Sequence, residues 1–205
     1  MPRIKAATVA ENRVAQRAAL IEAARELLAE RPDRAPSLTD VAARAAMARP
    51  TVYQYFASGA DLFDAVVDDL FPRWARRLDS AMRGARTPGE RVLAYVDANL
   101  RLVADGEHAI ARSLASFASA SLDVDGDRHA SLVKPLKDAL RDLGARDPET
   151  TADMINGIVY TASHLIESGT SLRTARARAH ELLEPYVAAR ADSSETGIPR
   201  SGGHR

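Results

Sequence analysis

The chain has no cysteine. Disulfide frameworks, thiolate zinc sites and cysteine nucleophiles are therefore excluded, and the composition is compatible with a reducing compartment. No apolar run approaches the ~18 residues that a membrane-spanning helix needs, and the first residues, MPRIKAATVAENR, hold no apolar signal core. We therefore expect a soluble cytoplasmic protein with no membrane partner. Also missing are a Gly-rich phosphate loop, a Glu-x-x-His pair of the kind that holds metals in helical bundles, and any motif joining a nucleophile to its base. The expectation is no enzyme, no cofactor and no metal; His164 and Glu167, three apart, read as a surface pair. Neither sign of charge is in excess, since the formal net charge is zero. No strand-like alternation occurs, so the expected fold class is all-α.

What is present is enough apolar material, 46% of 205 residues, for a sizeable core in one or two domains. The charge is unevenly divided. Up to Ala60 there are nine basic against six acidic side chains, which leaves roughly +3 there and roughly −3 in the remainder. That asymmetry fits a head that meets a polyanion, carried on an acidic body.

The segment Ser37 to Leu62, SLTDVAARAAMARPTVYQYFASGADL, packs two short helices, a tight joint and a third helix start into little space. Ser37 with Asp40, and Ser58 with Asp61, form capping boxes in which side chains satisfy orphan backbone N–H groups. Val41, Ala42 and Ala45 give the first short helix one apolar stripe, and Val52 and Phe56 give the second another. This is the layout of a helix-turn-helix, whose second helix enters the major groove with its N-terminal residues at the base edges. Arg49 and Thr51 hold those positions. Arg49 can give two hydrogen bonds to a guanine or one to a phosphate, and Pro50 and the Thr51 methyl can touch a thymine methyl. Ser37, Thr39 and Ser58 can donate to phosphates from helix N-termini, although capping alone explains the two serines.

Residues Arg49-Pro50-Thr51-Val52-Tyr53-Gln54-Tyr55-Phe56 resemble the recognition helix of the tetracycline-repressor (TetR) family of bacterial transcription regulators. The resemblance extends upstream over Leu20 to Leu28 and downstream over Leu62 to Val66. It implies that Tyr53 and Tyr55 reach phosphates; packing against the first helix is the alternative for each. Three positions depart from the family's usual pattern. Ala46 stands where Gly is common in the joint, Ala48 where Ser is common as the cap, and Gly59 where Lys often meets a phosphate.

The rest reads as helix after helix, about nine in all. Residues 1–12 form an expected flexible basic arm, 13–58 the DNA-binding domain, 59–191 a helical ligand-binding and dimerisation domain, and 192–205 a disordered tail. Expected helices cover Arg13–Glu30, Ser58–Arg83 with a kink at Pro72, Thr87–Ala104, Glu107–Ser121, Arg128–Leu143 with a bend at Pro135, Asp147–Ser168 and Leu172–Arg190, with a polar loop at Asp123–Asp127.

In the helix from Pro148, Met154, Ile158, Ala162 and Leu165 form one stripe, and Ile155, Val159, Ala162 and Ile166 form another beside it, a wider apolar face than one core contact needs. With the last helix (Leu172, Ala175, Ala179, Leu182, Leu183, Tyr186) it is expected to pair with its symmetry mate in a homodimer. The resemblance implies the same, along with a small-molecule effector pocket whose occupation releases a palindromic double-stranded DNA operator. Polar residues that interrupt apolar faces are the pocket candidates: Asn99, Arg112, Asn156, Tyr160 and His164, with Trp74 and Phe117 as walls. The expected function is a dimeric repressor released by its ligand. The alternative is a helix-turn-helix protein acting architecturally or through a protein partner, without a ligand.

Overall fold

The computed structural model of the chain describes residues 9–117 and 127–195. The described residues form nine α-helices and no strand: α1 (Val9–Glu30), α2 (Leu38–Arg44), α3 (Arg49–Tyr53), α4 (Gly59–Arg83), α5 (Pro88–Ala104), α6 (Glu107–Phe117), α7 (Asp127–Asp142), α8 (Pro148–Glu167) and α9 (Leu172–Glu195). Among the described residues α1 is already helical at Val9, ahead of the expected Arg13, and α9 continues past Arg190. The expected loop lies outside the described residues, except for Asp127, which lies in α7.

Local chemistry explains most helix ends. The Thr87 hydroxyl accepts the Glu90 N–H at 3.1 Å while the Glu90 carboxylate accepts the Thr87 N–H at 3.3 Å, a reciprocal box with Pro88 in the first turn. Asp147 accepts the Thr150 N–H at 3.1 Å and opens α8 in the same way. At the other ends, Gly144 (φ 76°) and Gly169 (φ 100°) adopt the left-handed conformation that turns the chain out of α7 and α8. Pro72 lies inside α4, which continues to Arg83, and Pro135 and Pro185 lie inside α7 and α9.

The chain divides into two compact units. The first holds α1 to α3, α4 up to Phe71, and α6. Its core is built on Leu20, Ala24 and Leu28 of α1, Val41 of α2, Val52 of α3, Leu62 and Val66 of α4 and Leu114 of α6, all fully or almost fully buried. The second holds α4 from Pro72, α5, α7, α8 and α9, with α5 packed against the last three. Val92, Val96 and Leu100 of α5 meet a core shared with Leu136 and Leu140 of α7, Ile155 and Val159 of α8, and Ala175 and Ala179 of α9. Gly89 allows the closest approach, since a Cβ there would lie 2.2 Å from Cγ1 of Val187.

Candidate nucleic-acid interface

Two devices hold α2. Ser37 caps it: its Oγ accepts the Asp40 N–H at 3.2 Å and its own N–H donates to the Asp40 carboxylate at 3.0 Å. The Ser37 hydroxyl and then its backbone N–H hold the Asp40 carboxyl below the usual carboxylate range. Its contribution to stability is thus present above the unfolded value of about 4 and is lost as pH falls through the lower native value. Arg44, at the other end of α2, bonds to Glu30 at 2.7 Å and Glu26 at 3.1 Å and so fastens α2 to α1.

The joint between α2 and α3 is a Schellman turn. Met47 N–H bonds to the Ala42 carbonyl at 2.9 Å and Ala46 N–H to the Ala43 carbonyl at 3.2 Å, with Ala46 at φ 53°. The same pattern closes α7 and α8, where Ala145 bonds to Leu140 and Thr170 to Leu165, but there glycine holds the left-handed position. Ala46 carries a Cβ into a conformation that costs an L-residue roughly 1–2 kcal/mol, partly offset because glycine loses more freedom on folding. Ala46→Gly is expected to stabilise the chain by about 0.5–1 kcal/mol in urea unfolding; a loss of stability would mean the joint is relaxed around alanine.

Helix α3 has Ala48 at its N-cap with no side-chain cap, and Pro50 in its first turn. Val52, fully buried, and Phe56 anchor it from behind. The opposite edge is open: Arg49 and Pro50 are exposed, Thr51 is half-buried and Tyr53 is 47% exposed. Arg49 Nη2 donates to the Tyr53 hydroxyl at 3.3 Å, and its guanidinium lies 5.7 Å from that ring's centroid. Tyr53 accepts there and keeps its own proton to donate. Tyr55 is turned the other way, toward α1, and its hydroxyl donates to Gln16 Oε1 at 2.6 Å. Ser58 accepts the Asp61 N–H at 3.1 Å as the cap of α4, and Thr39 is exposed on α2. Arg49, Pro50 and Tyr53 on α3 and Thr39 on α2 are therefore uncovered, with Thr51 half-buried beside them. Tyr55 is engaged with α1.

The body candidates fall in different places. Arg112 and Phe117 belong to the first unit, where Phe117 packs on Phe63 with ring centroids 6.3 Å apart. In the second unit Trp74 is buried, while Tyr160 (78% exposed) and His164 stand on the outer side of α8. Asn99 and Asn156 converge on a residue the sequence reading passed over, Tyr95. The Tyr95 hydroxyl donates to Asn156 Oδ1 at 2.9 Å, and Asn99 Nδ2 donates to the Tyr95 carbonyl at 2.8 Å. Burial pushes the Tyr95 hydroxyl up to about 12. On α8, Ser163 is also buried, and its Oγ has no hydrogen-bond partner. An open groove of about 500 Å³ between α4 and α5, lined by Arg77, Ala81, Ala94, Asp97 and Arg101 among others, includes none of the candidates.

A capped helix, a tight joint and a short second helix with an open leading edge, braced by a longer helix behind, define a helix-turn-helix DNA-binding protein. The family model for bacterial regulatory proteins, tetR family, matches residues 20–66. That region belongs to the tetR family, and the chain carries the fold of its transcriptional regulators. A solved structure described as the molecular basis for control of antibiotic production by a bacterial hormone is 27% identical, with a TM-score of 0.69 over 86% of this chain and 97% of that one. A TetR-family regulator from Rhodococcus sp. is 18% identical, with a TM-score of 0.69 over 84% and 99%. The fatty acid degradation regulator FadR from Bacillus halodurans is 20% identical, with a TM-score of 0.66 over 82% and 94%. No curated protein matches the chain. No helix among the described residues is long and apolar enough to cross a membrane.

Proposed function

We propose that the protein is a cytoplasmic repressor that binds a palindromic operator as a homodimer and is released by a small molecule held in its C-terminal helices. The observation that carries the DNA reading is the open edge Arg49-Pro50-Thr51 on a helix whose other side is sealed by Val52 and Phe56. Arg49 and Thr51 read bases, Pro50 adds an apolar contact, and Tyr53 and Thr39 donate to phosphates.

Dimerisation is supported by the outer sides of α8 and α9. Met154 (70% exposed), Tyr160, Leu165 and Leu182 (66%) are apolar or aromatic yet uncovered, and Gly157 among them leaves open space where a side chain would stand. Tyr160 and His164 then serve the dimer face better than a pocket. The effector reading is supported by the buried Tyr95 and unpartnered Ser163 and the half-buried Asn99 and Asn156, polar groups on α5 and α8. The structural relatives that regulate fatty acid degradation or answer a bacterial hormone lend it weight. By linkage, release requires the ligand to bind the DNA-free form more tightly, with a coupling of ~1–3 kcal/mol.

Selection of bound sequences from a random duplex pool tests the reading. An imperfect palindrome is expected, with half-sites about one helical turn or a multiple apart. A mobility shift on that site, titrated with a panel of fatty acids and other apolar metabolites, then separates a ligand-released repressor from an architectural protein, which no compound would displace.

A further inference from the structure

The cations of the first unit are not equivalent. Arg25 and Arg44 are neutralised internally by Glu107 and by Glu26 and Glu30. Arg13 and Arg17, by contrast, are exposed on α1, and neither is in an ion pair among the described residues. They are one turn apart, about 6 Å along the helix, and share a face. Each is seated on an aromatic ring just beyond the recognition helix: the Arg13 guanidinium lies 5.7 Å from the Tyr55 centroid and that of Arg17 lies 5.5 Å from Phe56. Arg49 over Tyr53 is a third guanidinium set on a ring in the same stretch of chain.

Stacking holds a guanidinium by its face and leaves its edge, with the N–H fork, free for an anion. Two such forks in register on a rigid helix suit the phosphates of one nucleic-acid strand, for which arginine's planar donors are well shaped. The usual backbone contacts are meanwhile weakened in this chain. Gly59 has no charge to offer, and the Tyr55 hydroxyl gives its proton to Gln16.

We propose that Arg13 and Arg17 form a backbone clamp on α1, gripping DNA phosphates beside the major-groove helix, with Tyr55 and Phe56 as the platform that aims them and Gln16 as the latch that holds Tyr55 in place. In this arrangement Tyr55 positions the clamp rather than touching DNA. The inference rests on the DNA-binding reading above and adds to it a segment outside the helix-turn-helix.

The test is a salt titration of binding by the full chain, on its selected operator and on a random duplex. Each lost phosphate contact lowers the magnitude of the log K against log salt slope by about 0.9, so Arg13→Ala/Arg17→Ala should lower it by about 2 for each bound head. Both DNAs should weaken by the same factor. Arg13→Lys/Arg17→Lys should keep most of the slope, and Tyr55→Leu, which removes the ring beneath Arg13, should lower its magnitude by up to about 1. An unchanged slope in a double variant that melts normally overturns the clamp while leaving the regulator reading intact, as does weakening confined to the operator. Failure of the unaltered chain to bind any duplex at low salt overturns both.

Discussion

Replacing Glu107 with alanine should lower the stability of the first unit by about 3–5 kcal/mol, the cost of leaving a buried charge without its partner. Arg25 is 4% exposed, and its Nη2 lies 2.7 and 2.8 Å from the two oxygens of Glu107. Its Nε and Nη1 have no hydrogen-bond partner. Two further carboxylates lie near but do not bond to it, Glu22 at 3.6 Å and Asp69 at 3.9 Å. They soften the loss, which places the expected effect toward the lower end. Glu107→Gln keeps an acceptor without the charge and should fall between parent and alanine. Replacing both partners with apolar residues of similar size, Arg25→Met with Glu107→Leu, should recover most of the stability, because the pair owes much of its importance to what remains when one half is removed. Urea denaturation at neutral pH measures all three; a change under about 1 kcal/mol for Glu107→Ala would show that Glu22 and Asp69 suffice. The second unit, which contains neither residue, provides the internal control.

The other large effect belongs to Arg49. Its alanine variant should bind the selected operator roughly 5- to 150-fold more weakly and lose preference at one base pair in each half-site, as expected when a bidentate base contact is removed. The guanidinium is exposed and, among the described residues, held by Tyr53 alone, so folding is undisturbed and the loss reads directly as recognition. Binding measured on a set of single-base operator variants decides the matter: weakening of all sequences by one factor would assign Arg49 to a phosphate. Arg49 and the α1 pair are thus distinguished by one assay, since the first should change selectivity and the second salt dependence.

Elements governed by neighbours in sequence were legible in it. Ser37 with Asp40, Thr87 with Glu90 and Asp147 with Pro148 announce helix starts because the atoms involved are three residues apart. Gly144 and Gly169 announce ends for the same reason. The recognition helix was legible because its buried Val52 and the buried Phe56 just past its end lie four residues apart and its open edge is the complement. What escaped depends on contacts far apart in sequence. Nothing local joins Arg25 to Glu107, 82 residues on, or Tyr95 to Asn156, 61 residues on. Nor does anything local join Tyr55 to Gln16, 39 residues before it, although the i, i+4 spacing of Arg13 and Arg17 was legible. Arg112 and Phe117 were grouped with the body because α6 follows α5 in the chain, yet α6 lies in the first unit. The turn of α1 ahead of Arg13 was missed because it is exposed, with Val9 at 90%, and leaves no amphipathic trace.

The internal neutralisation of Arg25 and Arg44 bears on how quickly the protein finds its target. Asp61, Asp64, Asp68 and Asp69 of α4 also lie in the first unit and outweigh the surplus of roughly three that residues 1–60 carry, so electrostatic acceleration of encounter should be modest. Residence time on the operator, governed by short-range contacts, is then the quantity through which occupancy is tuned.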